Sequence, residues 1–315
     1  KRIRANAMHA GIAALLRIAG RDANQLTASD LGFAVGPRIN AAGRLADMSL
    51  GIACLLTDDP QRALALATQL DAMNRERRNI ESDMQEQALA QLDTISVTDQ
   101  LTLCTFHPEW HQGVIGILAS RLRERFHRPT IVFAPAGEGI VKGSGRSIPG
   151  FHLRDALDLV YKRHPHLIQK FGGHAMAAGL SLAASDLDQF MQAFETVAQA
   201  LLEPSLLDRQ CTTDGPLVSD CFTTQFALQL TQQVWGQGFP PPLFDGTFDI
   251  VQQTLLKEKH LKLTLKNAGV NLQAIWFNHA QLLPARAHIA YRLEINRYNG
   301  IDRVQIMIEQ ALPVG

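Results

Sequence analysis

The chain has 315 residues, of which 46% are hydrophobic and 19% charged, and its acidic and basic residues balance to zero formal charge. Such a composition excludes a disordered or low-complexity chain, and no apolar stretch is long enough for a bilayer span; the length suits two domains plus a connector. The charge is unevenly spread, net positive by four over residues 1–50 and by five over 101–175, net negative by five over 51–100 and by four over 176–315. A basic lining on an otherwise acidic body draws a polyanion to one groove, with binding that weakens as salt rises.

Met8 to Ile18 has helical spacing, and Ala28-Ser29-Asp30 leads toward a turn before the block Gly36 to Arg44. Asp59 before Pro60 signals a helix start, an acceptor for the first amides followed by a residue preset for the first turn. Leu64, Ala67, Leu70, Met73, Ile80, Met84 and Leu92 then mark one face of a single long helix to about Ile95. Its other face carries Arg75, Glu76, Arg77, Arg78, Glu81, Asp83 and Glu86, which predicts a solvated, ion-paired surface.

Strands are predicted at Leu101–Phe106, Thr130–Ala134, Ile140–Ser147 and Ala178–Leu182. Helices are predicted at Val114–Phe126, Leu153–Val160 and Leu187–Leu202, the last with Phe190, Phe194, Val197 and Leu201 inward. The alternation implies an α/β domain ending near Glu203-Pro204-Ser205. After a helix-containing stretch from Leu217 to Val234 come five strand candidates, Phe244–Leu256, His260–Lys266, Leu272–Asn278, Ala287–Asn296 and Arg303–Gln310, the last two joined by an Asn299-Gly300 turn. Five strands in so short a span suit a small barrel.

The four cysteines, Cys54, Cys104, Cys211 and Cys221, form no CxxC pair and read as free thiols of a reducing compartment. No cleavage site follows the opening Lys1-Arg2-Ile3-Arg4, and the expected location is cytoplasmic, with no membrane partner.

Several groups suit anion chemistry. In an extended segment Lys142, Ser144 and Arg146 share a face, a cation, a hydroxyl and a guanidinium fork, while Gly143 and Gly145 leave the other side open. Gly172 and Gly173 ahead of His174 fit either a phosphate cradle at a helix start or a tight strand-to-helix turn. Arg38 and Arg44 flank Asn40 beside small residues, and read from the residues alone they fit capping or salt-bridging roles. His107 and His111 have the i,i+4 spacing of a metal pair, but Pro108 weakens a helix there, and His111 suits a ligand-facing loop or a satisfied core position. Arg121, Arg125 and Arg128 form a basic stripe on one helix, and Lys257, Lys259 and Lys262 a basic edge on the presumed barrel.

Residues 171 to 179 read Phe-Gly-Gly-His-Ala-Met-Ala-Ala-Gly and fit a GGHxxAAG motif. Together with Gly-Pro-Arg-Ile-Asn-Ala-Ala-Gly-Arg at 36–44, His-Pro-Glu-Trp-His-Gln-Gly-Val-Ile-Gly-Ile at 107–117 and Gly-Ser-Gly-Arg-Ser at 143–147, it resembles the DHH phosphoesterase superfamily and, within it, the bacterial RecJ exonucleases, over nearly the whole chain. The resemblance implies an α/β DHHA1-type domain (100–203) joined by a long helix (58–99) to the remnant of a DHH catalytic domain (1–57), followed by an OB-fold barrel (208–315). It implies 5′-to-3′ hydrolysis of single-stranded DNA in repair and recombination, with this chain holding substrate and the 5′-phosphate. The site residues carried over are Ser144, Arg146, Asn40, His111, Gly172, Gly173 and His174, with one of Arg38 and Arg44, Arg38 preferred, on phosphate; Arg121, Arg125 and the three barrel lysines would line the strand's path. Divalent Mn or Mg ions would be held by a D-x-D type block and an Asp-His-His triplet; no Asp-His-His occurs here, so the chain is expected to be a C-terminal fragment without catalytic residues of its own. Single-stranded DNA is the implied partner, and a single-strand-binding protein or a helicase is left open as a further one. The rival readings are a phosphatase of the same superfamily acting on oligonucleotides or small nucleotides, and a non-catalytic nucleic-acid-binding module.

Overall fold

A computed structural model describes residues 2–92, 100–236, 238–267, 269–298 and 301–314, and divides the chain into two compact units, Lys1–Arg209 and Gln210–Gly315. The first unit opens with α1 (Ala10–Ile18). Then α2 (Ala28–Asp30) is fixed by a reciprocal cap in which Thr27 Oγ1 accepts from the Asp30 amide at 3.2 Å and Asp30 returns the bond to the Thr27 amide at 2.9 Å. The expected turn after Asp30 is instead a π-helical stretch, Leu31–Val35, running straight into α3 (Gly36–Leu45), so the Gly36 to Arg44 block is a helix.

After α3 come α4 (Ser49–Leu56) and the long α5 (Pro60–Leu92), whose start is capped as expected by Asp59 Oδ1, an acceptor for the Gln61 amide at 2.9 Å. The predicted end near Ile95 lies outside the described residues. Ala63, Ala67 and Leu70 are fully buried against α1, α3 and α4, and Met84, Ala88 and Leu92 against the following domain. One expectation fails here. Arg77 and Glu81 are buried rather than solvated, because the seam between the two apolar ends of α5 passes through Asp71, Asn74, Arg77 and Glu81.

The α/β part is a five-stranded sheet in the order β1-β2-β3-β5-β4, made of β1 (Leu103–Phe106), β2 (Thr130–Pro135), β3 (Ile140–Arg146), β4 (Lys170–Gly173) and β5 (Ala177–Ala183). Only β1 and β2 are parallel, and α6 (Ile115–Phe126) makes their crossover. α6 covers one face, its Leu118, Ala119 and Leu122 packing with Val132 and Ala134. On the opposite face Ile131, Phe133, Val141, Leu180 and Leu182 pack with α7 (Leu153–Arg163) and α8 (Leu187–Leu201). Leu201, expected inward, is 48% exposed; α8 ends there and the extended Leu202 turns into the core in its place.

In the second unit α9 (Thr224–Gln232) precedes β6 (Phe244–Leu256), β7 (His260–Asn267), β8 (Val270–Trp276), β9 (Arg286–Tyr298) and β10 (Ile301–Pro313). They close into a barrel in the order β10-β8-β7-β6-β9, with β10 and β8 parallel. Alternation places Leu261, Leu263, Leu265, Phe248, Ile289 and Tyr291 inside, at 0–1% exposure. The predicted Asn299-Gly300 turn lies outside the described residues. Among the described residues no helix is long and apolar enough to cross a membrane.

Candidate functional site

The register of β3 puts Lys142, Ser144 and Arg146 on the same face as Ser181, Gly179 and Ala177 of β5, and β5 in turn sets Lys170 and Gly172 of β4 opposite Ser181 and Gly179. Their partners on the other side, Ala134, Val132 and Thr130 of β2, lie on the face that α6 covers. Past β3 that face carries no packed cover: Gly172, Gly179, Lys142 and Lys170 are all exposed. The outcome is a floor of bare main chain between two lysines, bounded on one side by Ser144 and Arg146.

The glycines divide by cause. Gly143 and Gly145 serve packing on the opposite face, where a Cβ would come within 2.5 Å of Phe133 and 2.7 Å of Leu153; the expectation that this side is open is wrong because core side chains fill it. Gly173 has φ +147° and a Cβ there would meet the Ala177 carbonyl at 2.4 Å, so the hairpin itself demands glycine. Gly172 has nothing within 4 Å of a Cβ and Gly179 only the Gly143 carbonyl at 3.8 Å. Neither packing nor a left-handed φ requires glycine at these two positions, and their bareness leaves room for a close-approaching ligand.

His174 sits exposed in the β4–β5 hairpin, its amide donating to the Ala177 carbonyl at 2.8 Å, next to the Arg146–Ala177 pair. The expected helix start is absent, so the Gly172-Gly173-His174 segment offers strand-edge backbone and an imidazole rather than a helix terminus.

The start of α6 approaches from above. A Cβ on Gly116 would stand 3.0 Å from both Ser144 Oγ and Arg146 Nη2, so glycine lets the helix lie directly on the pair. Arg146 Nη1 donates to the Gly145 carbonyl at 2.7 Å and to Ser144 Oγ at 3.3 Å, and no carboxylate meets it among the described residues. Burial lowers its pKa below the ordinary arginine range, and the guanidiniums of Arg44 and Arg123 lower it further.

Arg44 reaches the same place from α3. Its Nη1 donates to the Gly113 carbonyl at 3.0 Å, while its own carbonyl would lie 2.1 Å from a Gly113 Cβ, a two-way clasp that only glycine allows. Burial lowers the Arg44 pKa and Arg77 lowers it more, against an opposing pull from Glu81. Asn40 lies exposed one turn earlier, on the same face of α3 as Arg44.

Arg38, the arginine preferred from the sequence, is engaged elsewhere. Its Nε meets Asp71 at 2.8 Å and its Nη1 the Ala34 carbonyl at 2.6 Å. Of the two, Arg44 is the one whose field reaches Arg146.

The His107–Gly113 loop is pinned by Trp110, which is buried and donates through Nε1 to Gln87 Oε1 at 2.8 Å. The loop is not helical, so the histidine spacing is not that of a helical metal pair. Nδ1 of His107 and of His111 accepts the amides of Glu109 and Gly113, at 3.3 and 3.1 Å. Lys142 Nζ donates to Gln112 Oε1 at 3.1 Å, joining the loop to β3.

The stripe on α6 separates. Arg121 pairs with buried Glu81 at 3.1 Å, Arg125 lies over the Phe126 ring at 5.6 Å, and Arg128 caps the Gln100 and Phe126 carbonyls. Arg123, which sequence spacing did not single out, is the one electrostatically coupled to Arg146. Its place four residues after the buried Ala119, beside the buried face of α6, is the signal that could have found it.

In the second unit Lys257 and Lys259 are exposed in the β6–β7 turn, with Lys257 and Glu258 at φ 50° and 56°, and Lys262 is exposed on β7. Phe277 is 50% exposed beside His260, whereas Tyr291 is buried. Among the described residues no group of three or more His, Cys, Asp or Glu is placed to hold a metal ion, so the residues present do not fit a divalent centre.

Residues 98–200 match the DHHA1 domain family and residues 213–310 the RecJ OB domain family. The chain is similar to the single-stranded-DNA-specific exonuclease RecJ of Dickeya dadantii, 50% identical over 99% of this chain and 56% of that protein, and to that of Escherichia coli, 49% identical over the same shares. It also superposes on the crystal structure of RecJ in complex with Mg2+ from Thermus thermophilus, with a TM-score of 0.83 and 26% identity over 99% of this chain and 48% of that one. The chain thus spans about half the length of the curated relatives it matches.

Proposed function

From the premise that the chain belongs to the RecJ family, we propose that it forms the substrate-holding wall of an exonuclease that degrades single-stranded DNA from its 5′ end. The observation that carries this reading is the pair Arg44 and Arg146, two partly buried guanidiniums, the first lowering the proton affinity of the second, with no carboxylate bonded to either among the described residues, above a floor of bare glycine backbone. Cations assembled without counter-charge are relieved by a bound anion, and a planar fork can take two phosphate oxygens at once.

In this reading Ser144, Arg146 and Arg44 hold the terminal 5′-phosphate. The α6 start lies against it at Gly116, Lys142 and Lys170 flank the floor, and Gly172 and Gly179 let the strand lie on main chain. Asn40, His111 and His174 line the rim, and Arg38 supports α3 through Asp71. These contacts go to phosphate and sugar, so they orient a strand without reading sequence. The exposed lysines of the barrel, Lys257, Lys259 and Lys262, add a non-specific electrostatic path, with Arg121 and Arg125 contributing at the margin. Divalent Mn or Mg ions would supply water activation for phosphodiester hydrolysis; the described residues of this chain bind and align.

The test is Arg146→Ala, compared on oligonucleotides carrying a 5′-phosphate and a 5′-hydroxyl. Removing a charge-assisted hydrogen bond worth about 1.5–3 kcal/mol predicts a roughly 10- to 100-fold loss confined to the phosphorylated end. An equal loss on both ends would remove Arg146 from end recognition.

A further inference from the structure

We propose a second phosphate-binding subsite at the C-terminal end of α6, formed by Arg123 and Arg209 around His127, which takes a backbone phosphate of the same strand whose 5′ end lies at Ser144 and Arg146. It rests on the end-anchoring reading above and extends it along the helix.

Gly116, Ser120, Arg123 and His127 recur at intervals of four, three and four and so share one face of α6. Gly116 touches Arg146 at one end of that face, and His127 closes the helix at the other in a left-handed conformation, φ 49°, its amide donating to the Arg123 carbonyl at 2.9 Å. The eleven residue steps from Gly116 to His127 cover about 16 Å, room for several phosphates of an extended strand. Ser120 is not a competing ligand, because its hydroxyl donates to the Gly116 carbonyl at 3.1 Å.

Arg123 is the under-used cation of this face. Among the described residues its buried Nε has no partner and its Nη2 meets only Glu124, the adjacent residue, at 3.3 Å. A buried guanidinium nitrogen without an acceptor is costly unless a ligand supplies one. Arg209 is exposed and has no partner among the described residues, whereas Arg128 nearby is occupied with two backbone carbonyls.

His127 explains how two arginines are kept together. Burial lowers its pKa, the charge of Arg209 lowers it further, and Arg123 and Arg128 add to this against a backbone bond to Leu206. A neutral imidazole bonded to the Leu206 backbone ties the 204–209 segment to the helix end without adding a third charge. The charges of Arg44 and Arg123 both bear on Arg146, and those of Arg123 and Arg209 on His127, and cations linked in this way suit an anion that repeats along a chain better than a single ion.

The experiment uses the 315-residue chain with Arg123→Gln, Arg209→Gln and the double variant. Binding is measured against salt for 5′-phosphorylated single strands of about three and about twelve nucleotides, the shorter of which occupies only the end site. Expected is trimer affinity within about twofold of the parent, a roughly tenfold loss on the longer strand, and a salt slope shallower by about 0.7 for each phosphate contact removed. Arg209 is exposed, so its variant reports binding rather than folding, and melting curves control for Arg123. Unchanged affinity and slope on the longer strand would overturn the subsite, as would an equal loss on both lengths. If Arg146→Ala leaves end recognition intact while these variants still flatten the slope, the end-anchor reading falls and the subsite stands.

Discussion

Arg44 and Arg146, 102 residues apart in the chain, converge on the start of α6, each bonded to a backbone carbonyl and, among the described residues, neither to a carboxylate. Sites of this kind trade stability for binding. Replacing Arg146 with Gln removes one of two repelling cations and is expected to leave the melting temperature of the free protein unchanged or raised, while abolishing the further rise produced by a 5′-phosphorylated oligonucleotide. Calorimetric melting of both proteins with and without oligonucleotide checks this; a free variant that melts well below its parent would show that Arg146 holds the fold together.

The glycine pair gives a sharper separation. Gly172→Ala adds a methyl group to open space and is expected to fold with parental stability but to bind single strands more weakly, because the methyl rises from the floor where backbone and ligand meet. Gly173→Ala forces a Cβ to within 2.4 Å of the Ala177 carbonyl at a φ of +147°, and is expected to destabilise the β4–β5 hairpin by more than 1 kcal/mol, roughly the threshold for strain at a position closed to side chains. Denaturant titration and oligonucleotide binding on both variants decide it. If Gly172→Ala binds like the parent, the exposed floor is not where the ligand lies.

How far the site was legible in the sequence follows from the range of the interactions that build it. The face shared by Lys142, Ser144 and Arg146 is a matter of strand alternation, and the helix start at Asp59-Pro60 is a local cap; both were readable and both are present. The meeting of Arg44 with Gly113 and of Arg146 with Gly116 depends on tertiary packing, and only the family motifs hinted at it. Arg77 and Glu81 were misplaced because charge on a helix normally marks the wet side, whereas here each charge has a partner that pays for its burial. The same local logic favoured the regular stripe of Arg121, Arg125 and Arg128 over Arg123, whose coupling to Arg146 becomes visible only once β3 lies beside α6. In the barrel, alternating Leu261, Leu263 and Leu265 sufficed, because period two is a purely local signal and closure needs little more than five such strands.

Glu81 stands at the centre of the buried charges on α5, 9% exposed, accepting from Arg77 Nη1 at 2.6 Å and from Arg121 Nε at 3.1 Å. Removing one member of a buried ion network strands the others, a cost of about 3–5 kcal/mol. Glu81→Gln is therefore expected to lower stability markedly in urea titration, and Glu81→Gln combined with Arg77→Met to recover much of the loss. A single variant as stable as the parent would mean that water, rather than Glu81, balances these arginines.

The cysteines test the packing of the first unit through their chemistry. Burial pushes the Cys104 thiol up, with the Glu195 carboxylate adding to it and a backbone bond from Ile131 opposing, and burial raises Cys54 as well. The thiolate is the reactive form. A raised pKa keeps both thiols protonated in the folded protein at about pH 8, where an ordinary cysteine is already partly ionised, so they resist alkylation there and react only as pH rises further or the chain unfolds. Cys211 is exposed and is expected to label first. Iodoacetamide labelling followed by peptide mass spectrometry should show Cys211 modified and Cys104 and Cys54 protected in the native protein, with all of them modified in denaturant. Cys104 packs against the core that α8 covers, so its rapid native labelling would mean that β1 is not seated on that core.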